Sequence, residues 1–77
     1  METITIGERL KGLRQDKDWT QIQVAKLIGT TRNQIGKYER NEQEMTAPVI
    51  IKFCKLYNIS ANYILNLPKD GYDPRRT

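Results

Sequence analysis

Apolar residues recur at helical spacing in five short stretches of this chain. Ile6, Leu10 and Leu13 fall at i, i+4 and i+7, which predicts a helix from about residue 6 to 17 with one buried stripe. Val24, Ala25, Leu27 and Ile28 supply the stripe of a second helix. Ile35 and Tyr38, at i and i+3, share one face of a third that runs from Arg32 to Glu39. Ile50, Phe53, Cys54 and Tyr57 form the inward face of a fourth, and Ile59, Tyr63, Ile64 and Leu67 close the core around a short fifth. The expected fold class is all-α, a compact five-helix domain over residues 1–67. The stretch 68–77, PKDGYDPRRT, is rich in proline, glycine and charge and reads as a polar tail.

Capping residues fix the helix ends. Thr5 with Glu8, Thr20 with Gln23 and Thr31 with Gln34 each have the T-x-x-E/Q spacing of a capping box, in which side chain and backbone satisfy each other's free groups. Trp19 precedes the second of these and is placed to staple onto Val24. Thr46 is expected to cap the fourth helix, with Pro48 tolerated in its first turn, and Ser60 to cap the fifth. Gly29, Asn41 and Asn58 follow three helices. Glycine and asparagine suit the left-handed conformation that ends a helix.

The second and third helices form the most informative unit, QIQVAKLIGTTRNQIGKYER, residues 21–40. The small Ala25 falls where one helix crosses the other closely, and Gly29 supplies the turn. The apolar face of the third helix leaves Arg32, Asn33, Gln34 and Lys37 on the other side. Those side-chain types hydrogen-bond base edges and phosphates. Gly36 lies inside this helix at a propensity cost of about 1 kcal/mol relative to alanine. Two accounts of it stand: close approach of backbone to nucleic acid, or a helix held by its packing in spite of the glycine.

The segment from Ile6 to Leu67 resembles the lambda-repressor-like, or XRE-type, helix-turn-helix domain of phage and bacterial regulators. TQIQVAKLIG resembles the family's second helix and turn, TTRNQIGKYER its recognition helix, and KFCKLYNISANYIL its last two helices. The resemblance implies sequence-specific binding of double-stranded DNA by a transcriptional regulator, a repressor acting as a homodimer on an inverted repeat. It implies base or phosphate contacts from Arg32, Asn33, Gln34 and Lys37, and phosphate contacts from Gln21, Thr31, Arg40, Asn41 and Gln43. Gln21 would also brace the recognition helix. Arg14 and Glu39 would form a structural ion pair. Small domains of this type also serve as antitoxins, so a toxin or effector domain is the alternative partner. The loop after the third helix departs from the family, because Glu42 and Glu44 stand where lysine or arginine often grips phosphate. Arg9 and Arg40 are expected to supply such contacts instead.

Composition narrows the function classes. The chain has 77 residues, 38% apolar and 29% charged, as in an ordinary small globular domain. The net charge is +4, and residues 1–40 hold eight Lys/Arg against five Asp/Glu, so the excess lies mainly in the half with the helix-turn-helix. There is no histidine, which removes the commonest general base and metal ligand. No enzymatic constellation appears, and no cofactor is implied. The single Cys54 reads as an inert core thiol in a reducing compartment. No apolar run approaches the ~20 residues of a membrane span, and the N-terminus lacks a signal pattern, so a cytoplasmic protein is expected.

Overall fold

The computed structural model describes residues 4–65, which form five helices. These are α1 (Ile6–Asp16), α2 (Gln21–Ile28), α3 (Arg32–Glu39), α4 (Ala47–Tyr57) and α5 (Ala61–Ile64). The 67/68 domain boundary, Leu67 and the tail lie outside the described residues.

Helix ends fall where the capping residues set them. The Thr5 and Thr20 boxes are reciprocal: each threonine accepts from the backbone N–H three residues on, and the Glu8 and Gln23 side chains accept from the cap N–H groups. The third box is only half made. Thr31 Oγ1 accepts from Gln34 N–H at 3.1 Å, but no return bond from the Gln34 side chain accompanies it. Thr46 occupies the N-cap of α4 without a side-chain capping bond, and Pro48 stands in the first turn. Gly29, Asn41 and Asn58 all take positive φ, at 88°, 60° and 54°. Asp18 also takes positive φ, at 58°, just past the end of α1. Sequence reading passes over this one, although a short carboxylate side chain tolerates that region better than most.

The core gathers one face from every helix: Leu10 from α1, Val24 and Ile28 from α2, Ile35 and Tyr38 from α3, Phe53 and Tyr57 from α4, Ile64 from α5. Its centre is aromatic. Tyr38 meets Phe53 edge to face at 6.0 Å, Phe53 stacks on Tyr57 at 6.1 Å, and the half-buried Trp19 ring lies 6.1 Å from Tyr57. Trp19 and Tyr38 are thus core residues, as expected, with geometries that add to the burial itself. Several expected core positions differ. Leu27 is 57% exposed and Tyr63 47% exposed, while Cys54 and Ile50 are only half-buried. Val24, Ala25 and Ile28 span an arc of about 100° on α2, and Leu27 lies roughly 100° from the middle of that arc.

Burial, reinforced by the Glu39 carboxylate, pushes the Tyr57 phenol up to about 12 from its ordinary 10.0. The folded state therefore keeps this proton over a pH range in which the unfolded chain has lost it. The associated stability is complete below about pH 10 and disappears as pH rises through about 12. Urea unfolding across that range should show a fall in midpoint that is smaller in Tyr57→Phe. Equal falls in both proteins would exclude Tyr57 as the source.

Candidate nucleic-acid interface

α2 and α3 meet through a three-residue turn. Gly29 N–H and Thr30 N–H both donate to Ala25 O at 2.8 Å, which closes the end of α2. The left-handed Gly29 then redirects the chain, and Thr31 opens α3. Ala25 is buried at the crossing, with no side chain beyond Cβ to hold the helices apart. With Ile35, Tyr38 and Glu39 buried, the rotation of α3 about its axis is fixed. The same rotation places Thr31, Arg32, Asn33 and Lys37 in solvent and leaves Gln34 half-buried at the edge. Asn33 and Lys37 are one turn apart and stand on the same side.

A buried charge cluster locks this orientation. Glu39 is 8% exposed and accepts from three donors. Arg14 reaches it as a fork, Nε to Oε2 at 2.8 Å and Nη2 to Oε1 at 3.1 Å. Gln21 Nε2 donates to Oε1 at 3.1 Å. Arg14 Nη1 completes the cluster by donating to Trp19 O at 2.9 Å. The hydrogen bond with Glu39 raises the Arg14 pKa above its ordinary value. The expected Arg14–Glu39 pair is present, and Gln21 braces α3 by way of Glu39.

The loop after α3 makes side-chain bonds of its own. The Asn41 amide has tertiary work: Oδ1 accepts from Gly7 N–H at 2.9 Å and Nδ2 donates to Thr5 Oγ1 at 2.9 Å. It ties the end of α3 to the start of α1. Arg40 is exposed, but its guanidinium is gripped by Glu42, Nε to Oε2 at 3.0 Å and Nη2 to Oε1 at 3.1 Å. Those bonds lower the Glu42 pKa, and nearby Lys37 adds to the effect. Gln43 is exposed, with its amide at 3.5 Å from Glu44 O. Arg9, on α1, lies over the Tyr63 ring at 4.4 Å.

One structural residue escapes sequence reasoning. Gly7 is buried, and a Cβ there would stand 2.4 Å from Glu39 O and 2.6 Å from Tyr38 O. The N-terminal turn of α1 thus lies directly on the C-terminal carbonyls of α3. The available signal was a glycine inside a helix, at a propensity cost with no local return.

The family model described as Helix-turn-helix matches residues 10–64. The chain belongs to the helix-turn-helix family. It is 32% identical over 62 residues to the HTH-type transcriptional regulator ImmR of Bacillus subtilis, covering 80% of this chain and 49% of that protein. It is 33% identical over 55 residues to the antitoxin PezA of Streptococcus pneumoniae, covering 71% of this chain and 35% of that protein. It thus spans about half or less of these curated relatives. Among solved structures, the P22 c2 repressor in complex with a synthetic operator superposes with a TM-score of 0.78 at 27% identity, covering 82% of this chain and 96% of that one. The five-helix helix-turn-helix domain is therefore of the lambda-repressor-like type. Among the described residues no helix is long and apolar enough to cross a membrane, and no group of side chains could hold a metal ion.

Proposed function

We propose that this domain binds double-stranded DNA sequence-specifically as part of a transcriptional regulator, with α3 as the recognition helix in the major groove. The observation that carries the reading is the fixed rotation of α3. Its buried side is pinned through Glu39, and Arg32, Asn33 and Lys37 project together from the other. Arginine pairs with guanine through a fork, and asparagine with adenine. Lys37 and Gln34 add base or phosphate contacts. Gln21 and Thr31 stand at the N-termini of α2 and α3, where free amides and the helix dipole favour phosphate. Gln43 and Arg40 extend the phosphate line beyond α3. Asn41 contributes to it through the fold, by holding the loop against α1.

A single helix reads only a short stretch of duplex. A dimer on inverted half-sites about one turn, ~34 Å, apart is the usual solution. The likeness to the P22 c2 repressor supports repression as the regulatory outcome. The exposed Tyr63 of α5, with the residues that follow it, is the proposed dimer surface.

Selection of bound duplexes from a random DNA library tests the reading. An enriched inverted repeat is expected. Arg32→Ala should weaken binding to it by about 1–3 kcal/mol and relax the preference at one base pair. An unaltered sequence profile would remove Arg32 from base reading.

The match to the antitoxin PezA supports a second reading, neutralisation of a protein toxin by the same chain. Absence of any enriched duplex at low salt, with a protein that copurifies in a stable complex, would favour it.

A further inference from the structure

The loop after the recognition helix carries an acid where a DNA-binding surface ordinarily carries a base. Its geometry gives that acid a use. Arg40 closes α3, and its side chain folds back one turn to lie on Gly36. A Cβ on Gly36 would stand 2.8 Å from Arg40 Nη1 and 3.6 Å from Cζ. The missing side chain therefore makes a seat for the guanidinium on the flank of α3. Gly36 is buried although its neighbour Lys37 is exposed, and the three atoms that an added Cβ would meet first all belong to the Arg40 side chain. Neither close approach of backbone to DNA nor tolerated drift is needed to explain this glycine.

Glu42 fixes the guanidinium in that seat. It takes the side fork, Nε–H and one Nη2–H. A guanidinium has five N–H donors in a rigid plane. One N–H of Nη1 and the second on Nη2 form another fork, and no acceptor engages it among the described residues. Residues 33, 36, 37 and 40 adjoin one another on the helix surface. Arg40 thus adjoins the face that carries Asn33 and Lys37.

We propose that Glu42 is a positioning residue for DNA binding, which holds Arg40 in the Gly36 seat so that its second fork meets a pair of acceptors on the duplex. This rests on the DNA-binding reading above. The chemistry is a two-acceptor edge, either two oxygens of one phosphate or O6 and N7 of a guanine. A long exposed side chain ordinarily loses rotamer freedom on binding, and the clamp removes much of that loss beforehand. The charge of Glu42 repels DNA weakly, because Arg40 and Lys37 offset it.

The two views of Glu42 predict opposite signs. As a repelling acid, its removal tightens every complex. As a positioning residue, its removal weakens the specific one. The test uses the full chain, the duplex most enriched in the selection and a scrambled duplex of equal composition. Glu42→Gln should weaken the specific complex about three- to tenfold while leaving thermal melting unchanged, and should have no such effect in an Arg40→Ala background. Arg40→Lys keeps the charge but loses the fork, and should weaken binding to a similar extent. Gly36→Ala should melt no lower than the parent, since alanine favours the helix and the arginine can yield, yet should bind more weakly. A phosphate target would give Arg40→Ala a salt dependence shallower by about 0.9 in log–log slope, whereas a guanine target would give loss of preference at one base pair. A parent that binds the enriched duplex beside a Glu42→Gln that binds it equally or more tightly overturns this inference alone. Failure of the parent to enrich any duplex overturns the DNA-binding reading as well.

Discussion

Glu39→Ala is expected to cost about 3–5 kcal/mol of folding stability, the scale of breaking a buried ion pair by removing one partner. A domain this small has a stability near the lower end of the usual range of roughly 5–15 kcal/mol, so the variant should be largely unfolded at physiological temperature. The reason is that three donors lose one acceptor. Arg14 has only 12% of its side chain exposed and would keep a full charge with Trp19 O as its one remaining partner. Gln21 Nε2 would lose its acceptor too. A double variant, Arg14→Met with Glu39→Leu, removes both charges and fills the space with apolar atoms. It should recover much of the loss, because a buried pair contributes little net stability over an apolar replacement. Urea unfolding of parent, single and double variants measures this. A single variant within about 1 kcal/mol of the parent would show that the pair behaves as a surface bridge.

Gly7→Ala is the second large effect, and it has an internal control. The new Cβ would overlap backbone atoms, Glu39 O at 2.4 Å and Tyr38 O at 2.6 Å, and backbone cannot swing aside as a side chain can. α1 would have to lift from α3, which would also stretch the Gly7 N–H bond to Asn41. A loss of about 2–3 kcal/mol is expected, the upper part of the range for overpacking. Gly12 lies in the same helix, and a Cβ there meets nothing within 4 Å. Gly12→Ala should therefore stabilise, by up to about 1 kcal/mol, from helix propensity alone. Opposite shifts in urea midpoint for one substitution at two sites of α1 would establish the close approach. Equal shifts would place α1 differently on α3. Because Gly7 sits on the last carbonyls of α3, a surviving Gly7→Ala protein should also bind DNA more weakly, through a tilted recognition helix.

Much of the interface was legible because helix signals are local. Thr20 and Gln23 cap α2 within one turn of chain, and Gly29 ends it with a conformation that glycine prefers for reasons of its own Cβ. Once those ends are set, the buried positions of α3 leave Arg32, Asn33 and Lys37 outside by rotation at 100° per residue. Gln34 shows the limit of that logic. As a cap partner its backbone behaves as the spacing requires, but its side chain does not return the bond to Thr31. Leu27 shows another, since eight residues of α2 offer more apolar side chains than its neighbours can cover. Asn41 was legible as a left-handed cap, and not as the residue whose amide joins α3 to α1.

The sequence by itself determined the five helices, their caps, the core face of α3 and the polar set opposite it. These depend on contacts between residues three or four apart, which any helix makes. Only the tertiary structure decided that Gln21 shares Glu39 with Arg14, why Gly7 must lack a side chain and what Asn41 holds. Those contacts join residues 18 to 36 positions apart, and they exist only after the helices cross at particular angles. Arg40 and Glu42 stand two residues apart, yet their clamp also waited for structure. Past the end of a helix, spacing no longer fixes direction, and the turn at Asn41 sets where each side chain goes.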